Sequence, residues 1–115
     1  MMNAIQIEEL LERVAGNREF VIQMLEMFFR SSDERLSALG KEFDNRNYPE
    51  LADQAHKLKG LVSNLSITQA LPILRNLQVA AGLKKDFQII ELLKELETVI
   101  ADAKAFFQNN PTLTV

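Results

Sequence analysis

A chain of 115 residues, in which Lys+Arg 13 face Asp+Glu 16 for a formal net charge of -3, is the length of about one domain and leaves no space for a sensor, a nucleotide-binding domain and an output domain together. Its 47% hydrophobic and 25% charged residues are the mix of a folded protein, and an acidic balance with no basic run argues against nucleic-acid binding. Zero cysteines exclude disulfides, thiol nucleophiles and cysteine-held metals, and a single histidine, His56, excludes schemes that need two imidazoles.

Read with the 3.6-residue period, the chain divides into helices and shows no strand alternation. A short first helix covers about 3–14, with Ile7, Leu10, Leu11 and Val14 on one side. Gly16-Asn17 breaks it, and Asn17 is a good cap for a second helix. That second helix runs over about 18–45 on a stripe of Val21, Met24, Leu25, Phe28, Leu36, Leu39 and Phe43, with Ser31-Ser32 expected to loosen its middle. Phe20, Met27 and Phe29 lie off that stripe, so either the first helix packs over them or they form a patch for a partner.

Asn47-Tyr48-Pro49 restarts the chain as a third helix over about 48–65, burying Leu51, Ala55, Leu58, Val62 and Leu65. A fourth covers about 67–81, capped by Ser66 or, because Pro72 sits late for that start, by Thr68. Gly82 ends it. Asp86 is expected to cap a fifth helix to about Gln108, carrying Ile89, Leu93, Leu96, Ile100, Ala103 and Phe107, and the tail 109–115 is expected to fray. Four long helices with short connections predict an all-α, antiparallel four-helix bundle with a short additional N-terminal helix. One domain over 1–115 is expected, with its helical core over about 15–107. No apolar run approaches the ~18 residues of a membrane span. The Met1-Met2-Asn3-Ala4 start lacks a signal peptide's pattern, so a cytoplasmic protein is expected, with a monomer as the default.

Only one constellation carries chemistry. Around the third helix, with Leu51 at zero, His56 lies roughly 140° away, Ser63 roughly 120°, Lys59 roughly 80° and Gly60 roughly 180°. The imidazole therefore points outward, with a lysine one turn along on the same side. Gly60, one full turn after the histidine, costs the helix about 1 kcal/mol relative to alanine. It permits close helix approach, or is an accident of a tolerant surface, or clears space for another protein beside His56.

The run Ala55-His56-Lys57-Leu58-Lys59-Gly60, with Leu65 five residues after the glycine, resembles the signature of histidine phosphotransfer (HPt) domains. That pattern reads Ala-His-x-Leu-Lys-Gly, four variable residues, an apolar residue and commonly Gly. The resemblance covers about 15–107 and implies a four-helix bundle that relays phosphoryl groups between aspartates of response-regulator receiver domains. His56 would then be the phosphoryl carrier. Imidazole suits that task, because an ordinary value near ~6.5 leaves much of it neutral, with a lone pair to attack phosphorus. Lys59 would stabilise phosphoryl charge. Gly60 would clear space for the partner, and Ser63 and Gln78 would donate hydrogen bonds to the phosphoryl group or orient the ring.

Two positions depart from the family's pattern. Ser66 replaces the usual glycine, which is expected to alter the interhelix turn, and the common Leu-Glu pair reads Leu77-Gln78. The resemblance implies a phosphotransfer protein and not a kinase, since Gly16, Gly40, Gly60 and Gly82 are isolated and form no phosphate loop. No metal site or cofactor is expected in this chain: Asp33 and Glu34 read as surface, and Mg²⁺ would belong to the receiver. Receiver domains and a hybrid sensor histidine kinase are the implied partners. A helical adaptor that binds receivers or other helices without phosphotransfer is the alternative.

Overall fold

Asparagines start the first two long helices. In the structure, a computed structural model that describes residues 3–110 and 113, the Asn17 side chain accepts a hydrogen bond from the Phe20 amide at 3.0 Å and opens α2 (Arg18–Asp44). Asn47 accepts from the Glu50 amide at 3.3 Å and opens α3 (Tyr48–Asn64), with Pro49 in a first turn whose amides have no helical partner anyway. The remaining helices are α1 (Ile7–Arg13), α4 (Ala70–Gly82) and α5 (Asp86–Gln108). Neighbours in sequence pack against each other and α5 returns to α2, so α2 to α5 close a ring of antiparallel helices. The chain is an all-α four-helix bundle with a short extra helix at one end.

One continuous core fills the ring, including Val21, Leu25, Leu39, Leu51, Leu74, Leu77, Ile89 and Leu96. On α3 the buried set is Leu51, Ala55, Leu58 and Val62, the stripe that the helical period predicts. α2 stays helical through Ser31-Ser32, because both hydroxyls bond back to carbonyls of the preceding turn, Ser31 to Phe28 at 3.3 Å and Ser32 to Phe29 at 3.1 Å. The three off-stripe residues divide. Phe29 is buried against Phe28 and stacks on Phe107 of α5, at 5.8 Å between centroids. Phe20 and Met27 stay exposed, at 46% and 68%, so α1 does not cover them.

Five expectations about ends need correction. α1 begins at Ile7 rather than Asn3. α4 begins at Ala70 rather than Ile67, which places Pro72 in the first turn, where its missing N–H leaves no helical bond unmade. Neither Ser66 nor Thr68 caps it: Gln69 stands at that position without a side-chain bond, and the buried Thr68 hydroxyl has no partner among the described residues. Asp86 is the first residue of α5 and not its cap, because its carboxylate is engaged by Tyr48 and Arg46. In the tail, Leu113 is 2% exposed and so is packed rather than frayed, while 111, 112, 114 and 115 lie outside the described residues.

The interhelix turns share one device. After α1, α2, α3 and α4, a non-glycine residue takes the left-handed conformation: Ala15 (φ 55), Arg46 (φ 53), Ser66 (φ 56) and Lys84 (φ 56). The amide after each reaches back to the last helical turn, as in Ile67 N to Val62 O at 2.9 Å and Lys85 N to Ala80 O at 2.9 Å. The α4 turn thus bends at Lys84 and not at Gly82. Ser66 keeps the turn geometry that a glycine would adopt without strain, at a cost of about 1–2 kcal/mol. Its surroundings offset that cost: the buried Ser66 donates its hydroxyl to Glu9 at 3.2 Å, and its carbonyl accepts from the Gln6 amide at 3.0 Å. Arg13 adds bonds to the Ser63 and Asn64 carbonyls at 2.8 and 3.1 Å, satisfying acceptors that the end of α3 leaves open. α1 is thereby fastened to the α3–α4 turn.

Candidate functional site

α3 buries Ala55 and Leu58 inward, and the same period turns His56 outward between them. The imidazole is exposed, and its Nδ1 lies 3.5 Å from Nε2 of Gln78 on α4. Two helices therefore meet at the ring: α3 carries it, and a side chain of α4 comes within hydrogen-bonding distance of one of its nitrogens. Gln78 is held in place by its neighbours, since Leu77 and Ala81 are buried in the core on the adjoining side of α4. Nε2 of His56 has no partner among the described residues.

Chemistry at the ring depends on which nitrogen carries the proton. With the Gln78 amide donating its N–H to Nδ1, the proton sits on Nε2. Turning that amide by half a turn presents Oε1 to an Nδ1–H, which leaves the Nε2 lone pair free. The contact is thus compatible with either tautomer, depending on the rotation of one side chain.

Lys59 comes one turn later, half-buried, and Gly60 is next, exposed. A Cβ built at Gly60 would meet nothing within 4 Å. The glycine therefore does not serve close packing of helices inside this chain, and of the three readings of its presence that one is removed. Ser63 lies two turns beyond His56, about 10.5 Å along the axis, with its carbonyl taken by Arg13. The structure brings Gln78 to the ring and leaves Ser63 at a distance from it. Lys57 points elsewhere and pairs with Asp53 at 3.2 Å.

Two cations stand near this face, Lys59 on α3 and Arg75 on α4. Neither Lys59 nor Arg75, on α4, has an ion pair or hydrogen bond among the described residues. The sequence pattern singles out Lys59 and gives no signal at Arg75, whose position beside the site follows only from how α4 lies against α3. Among the described residues no group of three or more His, Cys, Asp or Glu is placed to hold a metal ion, and no helix is long and apolar enough to cross a membrane. An open groove runs between α2 and α5, on the side of the ring away from His56.

The family model of the Hpt domain matches residues 23–106, from within α2 to near the end of α5. The chain belongs to the Hpt domain family. No curated protein and no solved structure matches it. Hpt domains take part in histidine phosphotransfer within two-component phosphorelays, where they interact with receiver domains and histidine kinases as carriers of the phosphoryl group. The matched span contains His56, Lys59, Gly60, Ser63 and Gln78 and omits α1.

Proposed function

We propose that this chain is a phosphorelay intermediate that carries a phosphoryl group on Nε2 of His56 between receiver aspartates. One observation carries the reading: the single histidine stands exposed on the bundle, with one ring nitrogen engaged by Gln78 and the other without a partner among the described residues. The Nε2 lone pair attacks the phosphorus of an aspartyl phosphate, the P–N bond forms, the P–O bond breaks and the aspartate leaves as a carboxylate. Nδ1 keeps its proton throughout, and Gln78 Oε1 accepts a hydrogen bond from it as the ring becomes positive. Transfer onward reverses these bonds.

Lys59 places its charge near the three equatorial oxygens, where negative charge spreads in the transition state. Gly60 leaves the approach to the ring open, so the partner's aspartate and its Mg²⁺ can come close. Ser63, about 10.5 Å along α3 from His56, is too far along the helix to bond the ring or the group on it. The chain brings a nucleophile and a docking face, and the receiver brings the metal and the acid–base groups.

The test is transfer of label from a phosphorylated receiver to the wild type and to His56→Gln. The proposal expects acid-labile label on the wild type and none on the variant, with the same helical content in both. Exposed Phe20 and Met27 on α2 favour a second reading as a helical adaptor for receivers or other helices. An adaptor would bind the receiver equally well as either form and take label as neither.

A further inference from the structure

The contact between His56 and Gln78 fixes the register of α3 against α4, and that register has a consequence for Arg75. The two helices run antiparallel. Three residues back along α4 from Gln78 therefore covers the same ~4.5 Å, in the same direction, as three residues forward along α3 from His56. Arg75 is thus level with Lys59. It is also about 60° around α4 from Gln78, on the outward side, so both project from the face that carries the imidazole. Arg75 is exposed.

Its charge surroundings are one-sided. α4 contains no acidic residue from Ala70 to Gly82, and α3 contains none from His56 to Asn64. The chain has Asp+Glu 16 in all, yet among the described residues none pairs with Arg75 or with Lys59. Two cations therefore stand level with each other, one turn along from the imidazole and one on each helix, with no carboxylate on α4 or on α3 after His56. Like charges repel, and an anion that meets both is favoured by each.

Resting on the proposed role of His56, we infer that Arg75 is a second phosphoryl-binding residue, which contacts the group on Nε2 from the α4 side while Lys59 addresses it from α3. A phosphoryl group brings between one and two negative charges and three acceptor oxygens. A guanidinium suits it better than an ammonium, because its planar fork of N–H donors meets two oxygens at once. With cations on two helices, the phosphoryl group also ties α3 to α4.

The experiment loads the full chain with potassium phosphoramidate. The Nε2 lone pair forms the P–N bond and ammonia leaves, and with one histidine in the chain the label on imidazole has one place to go. The ³¹P signal of phospho-His56 is then titrated with pH in the wild type, Arg75→Ala and Arg75→Lys. The expected result is a titration midpoint shifted upward in Arg75→Ala, a smaller shift in Arg75→Lys, and a tenfold or larger displacement of the receiver–histidine equilibrium away from His56 in Arg75→Ala. An unmoved midpoint overturns the inference, and so does weaker receiver binding with an unmoved midpoint, which would make Arg75 a docking residue alone. Failure of the wild type to exchange phosphoryl groups with any receiver would count against the relay and leave the ³¹P titration to decide Arg75 by itself.

Discussion

At its first residue α3 joins a closed polar cluster, and a little over two turns later it carries an open one. Tyr48 donates its hydroxyl to Asp86 at 2.6 Å, Arg46 pairs with the same carboxylate at 3.3 Å, and the Lys84 ammonium lies 5.9 Å from the centre of the Tyr48 ring. That cluster joins the α2–α3 turn to the start of α5 and leaves its carboxylate doubly engaged. Around His56 the same helix has a 3.5 Å contact to Gln78, two cations unpaired among the described residues, and a glycine with empty space beside it. The first cluster ties three elements together, and the second leaves a ring nitrogen and a bare stretch of backbone open to approach.

Substitutions can break this contrast from either side. The largest effect belongs to His56→Gln, which abolishes phosphoryl uptake, a loss of at least roughly a thousandfold, and leaves thermal unfolding within about 0.5 kcal/mol of wild type, as expected for an exposed site. Next comes the pair on α4. Leu77→Ala removes a fully buried side chain and costs about 2–5 kcal/mol in denaturant unfolding. Gln78→Ala, one residue on, leaves stability nearly unchanged and slows transfer. Equal losses of stability in both would erase the distinction between core and site.

A smaller effect has opposite signs in its two readouts. Gly60→Ala should stabilise α3 by about 1 kcal/mol, since the new methyl meets nothing in the chain and alanine is the better helix former. The same methyl should slow exchange with a receiver while leaving labelling by phosphoramidate unchanged. If receiver exchange is also unchanged, the glycine provides no clearance.

The smallest effect is at the closed cluster. The hydrogen bond to Asp86 is the main cause that pushes the Tyr48 phenol above its ordinary 10.0, with desolvation and the charge of Asp86 adding to it and Arg46 opposing. The protonated phenol is thus favoured in the folded state. Its contribution is complete below the unfolded value and is lost as pH rises through the folded one. Wild-type stability should fall more steeply above pH 10.0 than that of Tyr48→Phe, measured by urea unfolding across that range.

Much of this is legible in the chain because it depends on one helix at a time. The buried face of α3, the outward direction of His56, the cap at Asn17 and the restart at Asn47 all follow from local period and side-chain chemistry. Features that need two helices in register are not legible. The family's pattern brings Gln78 to the ring but does not say which nitrogen it meets, and Arg75 has no local signal at all. Asp86 reads locally as a cap because the Tyr48 hydroxyl that draws it away comes from 38 residues earlier. Ser66 departs from the glycine that its turn invites, yet it accepts the left-handed conformation, and bonds from α1 hold it there.

The most direct measurement is the chemical identity of the phosphorylated residue, read by ³¹P–¹H correlation after incubation with a phosphorylated receiver. The account predicts a phosphoramidate on Nε2 of His56, lost in acid. Phosphate on Nδ1, or an acid-stable ester on a serine, threonine or tyrosine, would contradict it.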